Sequence, residues 1–271
     1  MTTTLHPPAL QDRSPAAALP VNWPRRLAYL GLALYAMYAA STLDVTWDRI
    51  MRGLPQGAKF LSRMWPPNFE PLKMDLMRQG LVESLEIAVL ATFFGVALSL
   101  PLGLLAARNL MPAWVSWTAR GFIALFRSFS PVIVAILFVK AIGFGALAGV
   151  MALIIGSLGF VSKLFAEAIE EMSLKQVEAV RATGASFWGV LIMSVLPQVM
   201  ARFTGFAAYQ LDSNLRNSTM VGIVGGGGIG STLFTAYQRF DFDFVLTILI
   251  AIIAIIMVSE IASGWLRRLF Q

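Results

Sequence analysis

EAIEEMSLKQVEAVRATGASFWGVLIMSVLPQVM, residues 167–200, is the stretch on which the fold of this chain turns. Acidic and basic residues recur in it at helical spacing, Gly184 interrupts them, and an apolar run restarts at Val190. The spacing predicts a short helix over residues 176–183, with Glu178 and Arg181 on one side and Val177 and Val180 on another. Gly184 permits a tight turn, and Ser186 is placed to cap the helix that follows. Two short helices around a glycine turn form a unit that can dock into a groove on a soluble partner.

On either side of this polar connection the chain is apolar. Four strong candidate membrane spans cover residues 81–107, 121–143, 146–166 and 190–211, and a fifth covers 244–265, with the run LTILIAIIAIIMV and then Arg267 and Arg268 as an anchor. Residues 27–43 are a weaker sixth, since 17 positions at roughly 1.5 Å each fall a little short of a hydrocarbon core of about 30 Å. Residues 1–26 hold five of the 13 prolines and read as a disordered cytoplasmic tail. Residues 44–80 mix Trp47, Phe60, Trp65 and Phe69 with charges, as an interfacial segment would. Residues 212–243 carry too much polarity and glycine for a lipid-facing helix, so they must be shielded by protein or line a cavity.

Composition supports the same class: 57% of the 271 residues are hydrophobic and 13% charged, against about 25% charged in soluble domains. Cysteine is absent, which removes disulfides, thiolate catalysis and Cys-ligated metals. The single histidine, His6, sits in the tail, so His-based triads and metal sites are excluded. The net charge of +6 is read as loop charge, not as a sign of nucleic acid. With the N-terminus inside, ten Lys/Arg fall on cytoplasmic segments and nine outside, so charge bias alone leaves the orientation open.

Residues 178–197 resemble the ATPase-docking signature of ABC importer permeases: E-A-A, three residues, G, nine residues, I-x-L-P. Glu178, Ala179, Val180, Gly184, Ser194, Leu196 and Pro197 stand at its spacing, with Val180 for Ala and Ser194 for Ile as departures. Within that superfamily SLPLGLLAARNLMP (residues 99–112), QVEAVRATGAS (176–186), VLPQVM (195–200) and SNLRNSTMVGIVGGGGIG (213–230) are similar to phosphonate-uptake permeases. The resemblance implies an all-α polytopic membrane protein of about six helices, a type I importer core of five plus one N-terminal helix, with residues 81–271 as the permease domain. Residues 167–189 would be its cytoplasmic coupling loop. It also implies a homodimer in the bacterial inner membrane, two cytoplasmic ATPases that hold Mg-ATP, and an external binding protein that captures phosphonate, phosphite or a phosphate ester. The docking loop must then be cytoplasmic, which puts both termini inside. The chain itself would hold no cofactor and perform no bond chemistry.

On this resemblance Glu178, Ala179, Arg181 and Gly184 are expected to couple to the ATPase, where charge alone would suggest only a solvated helix face. Asp212, Asn214, Arg216 and Asn217 are placed at the outer end of the span over residues 190–211, too costly for lipid and so facing water, protein or substrate. Arg216 suits a tetrahedral oxyanion, but a helix would also pair it with Asp212 at i,i+4. Arg127 lies deeper and is expected on the bundle side or its water-filled path. Gly225, Gly226, Gly227 and Gly228 lack the Lys-Ser/Thr of a P-loop, which leaves close backbone packing, a gate, or an anion nest. Two other classes, an ion-coupled transporter and a polytopic membrane enzyme, need no docking loop and would show buried carboxylates or catalytic side chains.

Overall fold

The computed structural model describes residues 23–43 and 46–270, with side chains to residue 264. Most of the expected tail, through position 22, lies outside these residues, as do Asp44 and the side chains of Arg267 and Arg268. The chain divides into two units, residues 1–60 and 61–271. In the first, α1 (Trp23–Thr42) buries no residue and takes in four positions assigned to the tail from sequence. Helix α2 (Trp47–Met64) sets Trp47, Ile50, Met51 and Leu54 along one stripe and Arg49, Arg52 and Lys59 elsewhere, the pattern of a helix that lies in a membrane interface.

The second unit is built on α3 (Pro71–Ala106). Pro71 opens it at a position where its missing N–H is no loss, so the helix starts ten residues before the span expected from Leu81. One face of α3 is a ladder of small residues, Gly80, Ser84, Ala88, Ala91, Gly95, Ser99 and Gly103, all buried. Helices in lipid gain little from burying apolar surface against one another, so close backbone approach is what holds them together. Here α6 (Ala146–Glu170) lies along that ladder. A Cβ on Gly95 would strike Ser157 of α6, and one on Gly103 would come within 2.8 Å of the Phe165 ring.

Between them α4 (Ala113–Ser128) and α5 (Pro131–Ile142) meet at an 84° bend, where sequence suggested one straight span. The residue before a proline is pushed out of the helical region, and Ser130 sits at ψ 136°. After α6 come α7 (Leu174–Ala182), the single turn α8 (Phe187–Val190), a widened π turn over Leu191–Val195, and α9 (Leu196–Val221). Pro197 lacks an N–H and its ring would crowd the carbonyl one turn back, which the π turn relieves. A second π turn, Gly222–Gly226, reverses the chain into α10 (Gly228–Gln238), which folds back on α3; α11 (Phe242–Phe270) closes the unit.

Four stretches are long and apolar enough to cross a bilayer, Pro71–Ala106, Ala146–Glu170, Phe187–Gly226 and Phe242–Gly264, and the bent α4–α5 pair makes a fifth. Helix α1, the sixth expected, falls short of that apolarity, with Arg25, Arg26 and three tyrosines in its length. Apolar clusters fill the bundle at three levels: around Phe165 and Ile169 near α7, around Ile87 and Leu153 at the middle, and around Ile229 and Ile248 at the far end.

The ladder on α3 makes a direct prediction. Gly95→Val should lower the thermal stability of the detergent-solubilised protein by about 1–3 kcal/mol, the usual effect of overpacking. Gly121→Val, whose Cβ would meet nothing within 4 Å, is the control. Equal melting of both variants would show that α3 and α6 do not depend on this approach.

Candidate functional site

A chamber of about 230 Å³ opens at the α4–α5 bend, between Phe129 and Pro131 on one side and α6 and α9 on the other. At about 30 Å³ per water, it has room for several waters or for a hydrated small ion. Arg127 is the one charged side chain on its lining, and Gln210, Ser213, Asn214 and Asn217 of α9 supply the other polar groups with Tyr209. A Cβ on Gly159 would lie 3.1 Å from the Arg127 backbone nitrogen, so α4 is pressed onto α6 here while the guanidinium stays free. Arg127 has no ion pair or hydrogen bond among the described residues.

The inner wall is a buried polar cluster. Asn214, 1% exposed, donates from Nδ2 to Thr92 Oγ1 of α3 at 2.9 Å and to Ser157 Oγ of α6 at 2.8 Å. Gln210 Nε2 donates to Asn214 Oδ1 at 2.9 Å and to Ser157 Oγ at 3.0 Å. Bonds of this kind join three helices where an unpartnered amide would be costly.

Of the residues singled out from sequence, the structure brings Arg127, Asn214 and Asn217 to this chamber. The string around Asn214 is helical and level with the middles of α3 and α6, because Thr92 and Ser157 satisfy it there; it is not at the outer end of a span. Arg216 and Asp212 do not line the chamber. They form the i,i+4 pair at 2.7 Å, and Asp212 Oδ1 also accepts from Ser259 of α11 at 3.0 Å. Thr92, Ser157 and Gln210 were not picked out from the sequence, although a lone hydroxyl midway along an apolar helix is a signal worth following.

Gly225, Gly226, Gly227 and Gly228 are also off the chamber. They make a tight reversal with φ of 101° at Gly225, 80° at Gly227 and 72° at Gly228. Gly149 of α6 packs against the Gly226 carbonyl, and Gly230 against the Thr219 carbonyl, so side chains have no space there. Ser84 of α3 accepts from the Ile229 N–H at 2.9 Å and pins the start of α10.

At the opposite end, α7 is held by one buried side chain, Val177, in the cluster with Ile169, Val190 and Leu191. Glu178, Ala179, Arg181 and Gly184 are all exposed, and the two charged groups have no partner among the described residues. Gly184 takes φ 79°, a conformation that L side chains rarely adopt, and Ser186 Oγ accepts from Gly189 N–H at 3.4 Å as a helix cap. The base of this unit is tied to the bundle: Gln198 Oε1 accepts from Ser173 N–H at 3.2 Å, and Arg202 pairs with Glu171 at 2.8 Å. Nearby, Glu170 receives Arg120 of α4 at 2.6 Å and the Arg108 N–H at 2.7 Å.

The family model for the binding-protein-dependent transport system inner membrane component matches residues 99–271, which take in the chamber, the glycine reversal and α7. The chain belongs to this family. It is therefore a multi-pass component of an inner-membrane transport system that depends on a binding protein. Among relatives, the phosphite transport system permease protein PtxC of Stutzerimonas stutzeri is 36% identical over 269 residues, 97% of this chain and 96% of that protein. The phosphate-import permease protein PhnE of Mycolicibacterium smegmatis is 44% identical over 207 residues, 76% of this chain, which spans only 39% of that protein. A chain of the inward-facing methionine ABC transporter MetNI shares the fold, with a TM-score of 0.66 at 24% identity over 75% of this chain and 100% of that one.

In this family member Arg216 pairs with Asp212 within α9, and Asp212 in turn receives Ser259 of α11. Arg216→Ala, which strands a carboxylate whose side chain is 13% exposed, should destabilise the protein by about 1 kcal/mol or more. The double variant Asp212→Ala with Arg216→Ala should melt close to wild type and transport normally. A transport defect in the double variant at normal stability would return Arg216 to the substrate path.

Proposed function

We propose that this chain is the membrane-spanning subunit of an ATP-driven importer that moves a phosphorus oxyanion, of the phosphonate, phosphite or phosphate class, inward by alternating access. Two copies would form the pore, two ATPase subunits carrying Mg-ATP would dock on the cytoplasmic side, and an external binding protein would deliver the substrate. The observation that carries the coupling is α7: its inner face is anchored by Val177, while Glu178, Arg181 and the Gly184 turn stand exposed and unpaired. A charged pair held out on a short, anchored helix fits a groove on a soluble partner. The near full-length likeness to a phosphite permease supports the substrate class. In this reading both termini and the α7 turn are cytoplasmic, Arg127, Asn214 and Asn217 face the path, and the reversal at residues 225–228 is a pivot between open and closed states.

Gly184→Val combined with Glu178→Lys should leave the protein inserted while ATPase association and uptake of phosphite or methylphosphonate fall about tenfold or more, the equivalent of about 1.4 kcal/mol of lost docking. Unchanged complex formation and uptake would remove the coupling assignment. Because the chain has no cysteine, Ser186→Cys reports the side directly. Labelling by an impermeant thiol reagent from outside intact cells would overturn the orientation.

A further inference from the structure

The hydrogens on the inner wall of the chamber can be assigned one at a time. The Thr92 hydroxyl donates to the Ala88 carbonyl and the Ser157 hydroxyl to the Leu153 carbonyl, each at 2.7 Å. A hydroxyl has one hydrogen, so both oxygens remain only as acceptors. The 3.3 Å approach of Ser157 Oγ to Asn214 Oδ1 loses that competition. Asn214 must therefore present its NH₂ to the two hydroxyls, at 2.9 and 2.8 Å, which turns its Oδ1 toward Gln210. Gln210 must answer with its own NH₂. Its Oε1 is left with no partner among the described residues, on a side chain that lines the chamber and in a residue only 5% exposed. That oxygen is not among the sealed, unpaired atoms of the interior, so it keeps accessible surface, and the chamber is the space its side chain lines. A chain of bonds through three helices thus fixes an acceptor, and never a donor, at this point of the wall.

The rest of the chamber is complementary to an anion. Arg127 is its only charge and is unpaired, no carboxylate lines it, and Asn217 and Ser213 stand beside it. Helix α5 begins at the same place with no side-chain cap; Pro131 has no N–H, and those of Val132 and Ile133 lack an acceptor within the helix. A cation with a free guanidinium fork suits tetrahedral oxygens.

We propose that this chamber is an oxyanion site within the permease itself, and that it selects an anion that still carries a P–OH hydrogen: dihydrogen or monohydrogen phosphate, or the monoanion of phosphite or an alkylphosphonate. Arg127 holds the charged oxygens and Gln210 Oε1 accepts the P–OH hydrogen. Inorganic phosphate keeps such a hydrogen in both of the forms it takes near neutral pH, whereas a singly substituted phosphorus oxyanion, with a second ionisation near pH 6 when esterified, keeps it on the acid side of that ionisation. Sulfate does not, so it would set a lone pair against the fixed acceptor and leave Gln210 Oε1 buried without a bond. The inference rests on the substrate class proposed above and adds a discrimination step after delivery by the binding protein.

The test uses the permease–ATPase complex in nanodiscs, without a binding protein, and radiolabelled inorganic phosphate and methylphosphonate as probes. Wild type should bind methylphosphonate more tightly at pH 6 than at pH 8, with a smaller change for phosphate, which keeps a hydrogen at both, and at pH 6 sulfate should compete about tenfold or more weakly than methylphosphonate, the loss expected of one charge-assisted bond. Arg127→Ala should weaken binding about tenfold or more, and Arg127→Lys should restore part of it. Gln210→Leu should erase the preference over sulfate; should that variant fold poorly, the wild-type competition and pH profile still decide. Sulfate competing as well as methylphosphonate in wild type, or undiminished binding by Arg127→Ala, would overturn the site. Uptake by the complete wild-type system in cells separates the two readings. If phosphate, phosphite or methylphosphonate enters while the chamber fails these tests, only this inference falls; if none enters, the substrate class falls and takes the inference with it.

Discussion

The fold depends on how closely helices can approach where lipid gives them no reason to associate. On α3 small residues recur every three or four positions from Gly80 to Gly103, and α6 and α10 take the space this leaves. Gly149, Gly222, Gly226 and Gly230 repeat the device between α6 and the chain reversal, with backbone set on backbone. Such contacts gather many weak dispersion attractions and let hydrogen bonds cross between helices. Without them Thr92, Ser157 and Asn214 could not meet, and the chamber would have no inner wall.

What was legible in the sequence was local. The apolar spans, the break at Gly184, the cap at Ser186 and the Asp212–Arg216 pair depend on neighbours within one or two turns, and each can be read from spacing. The bend at Ser130–Pro131 carried its own signal in the proline, but a run of apolar residues on both sides masked it. The polar string from Asp212 to Thr219 misled for a different reason. Its polarity suggested water, whereas Asn214 is satisfied by Ser157 and Thr92, which lie 57 and 122 positions away. Nothing in one helix says which hydroxyl of another will stand opposite it. Arg127 was expected on the bundle side, and the residues that line the chamber with it were not legible.

The polar contacts also decide which parts of the bundle can move against each other. At the chamber α3, α6 and α9 are tied into one body by the Asn214 cluster, since any of the three that slid would leave buried amide or hydroxyl groups unpaired. Helix α4 is tied at one end only. Ser116 and Arg120 both donate to the Ala106 carbonyl, and Arg120 pairs with Glu170, whereas the end that carries Arg127 has packing against Gly159 and no polar tether to α6 or α9. The Arg127 end of α4 is thus held by packing alone, and a swing of it would pivot near Arg120, while α5 stays anchored by the buried Val134 and Ala135. That pivot shares Glu170 with the base of the α7 unit, whose next residue, Glu171, is held by Arg202 of α9. On the proposed coupling role, a push on α7 would reach two places, the three-helix body through Arg202 and the pivot of α4 through Glu170. Such a swing would move Arg127 relative to Gln210 and leave the wall that orients Gln210 untouched, so the proposed anion site would change its grip without losing the geometry that recognises its ligand.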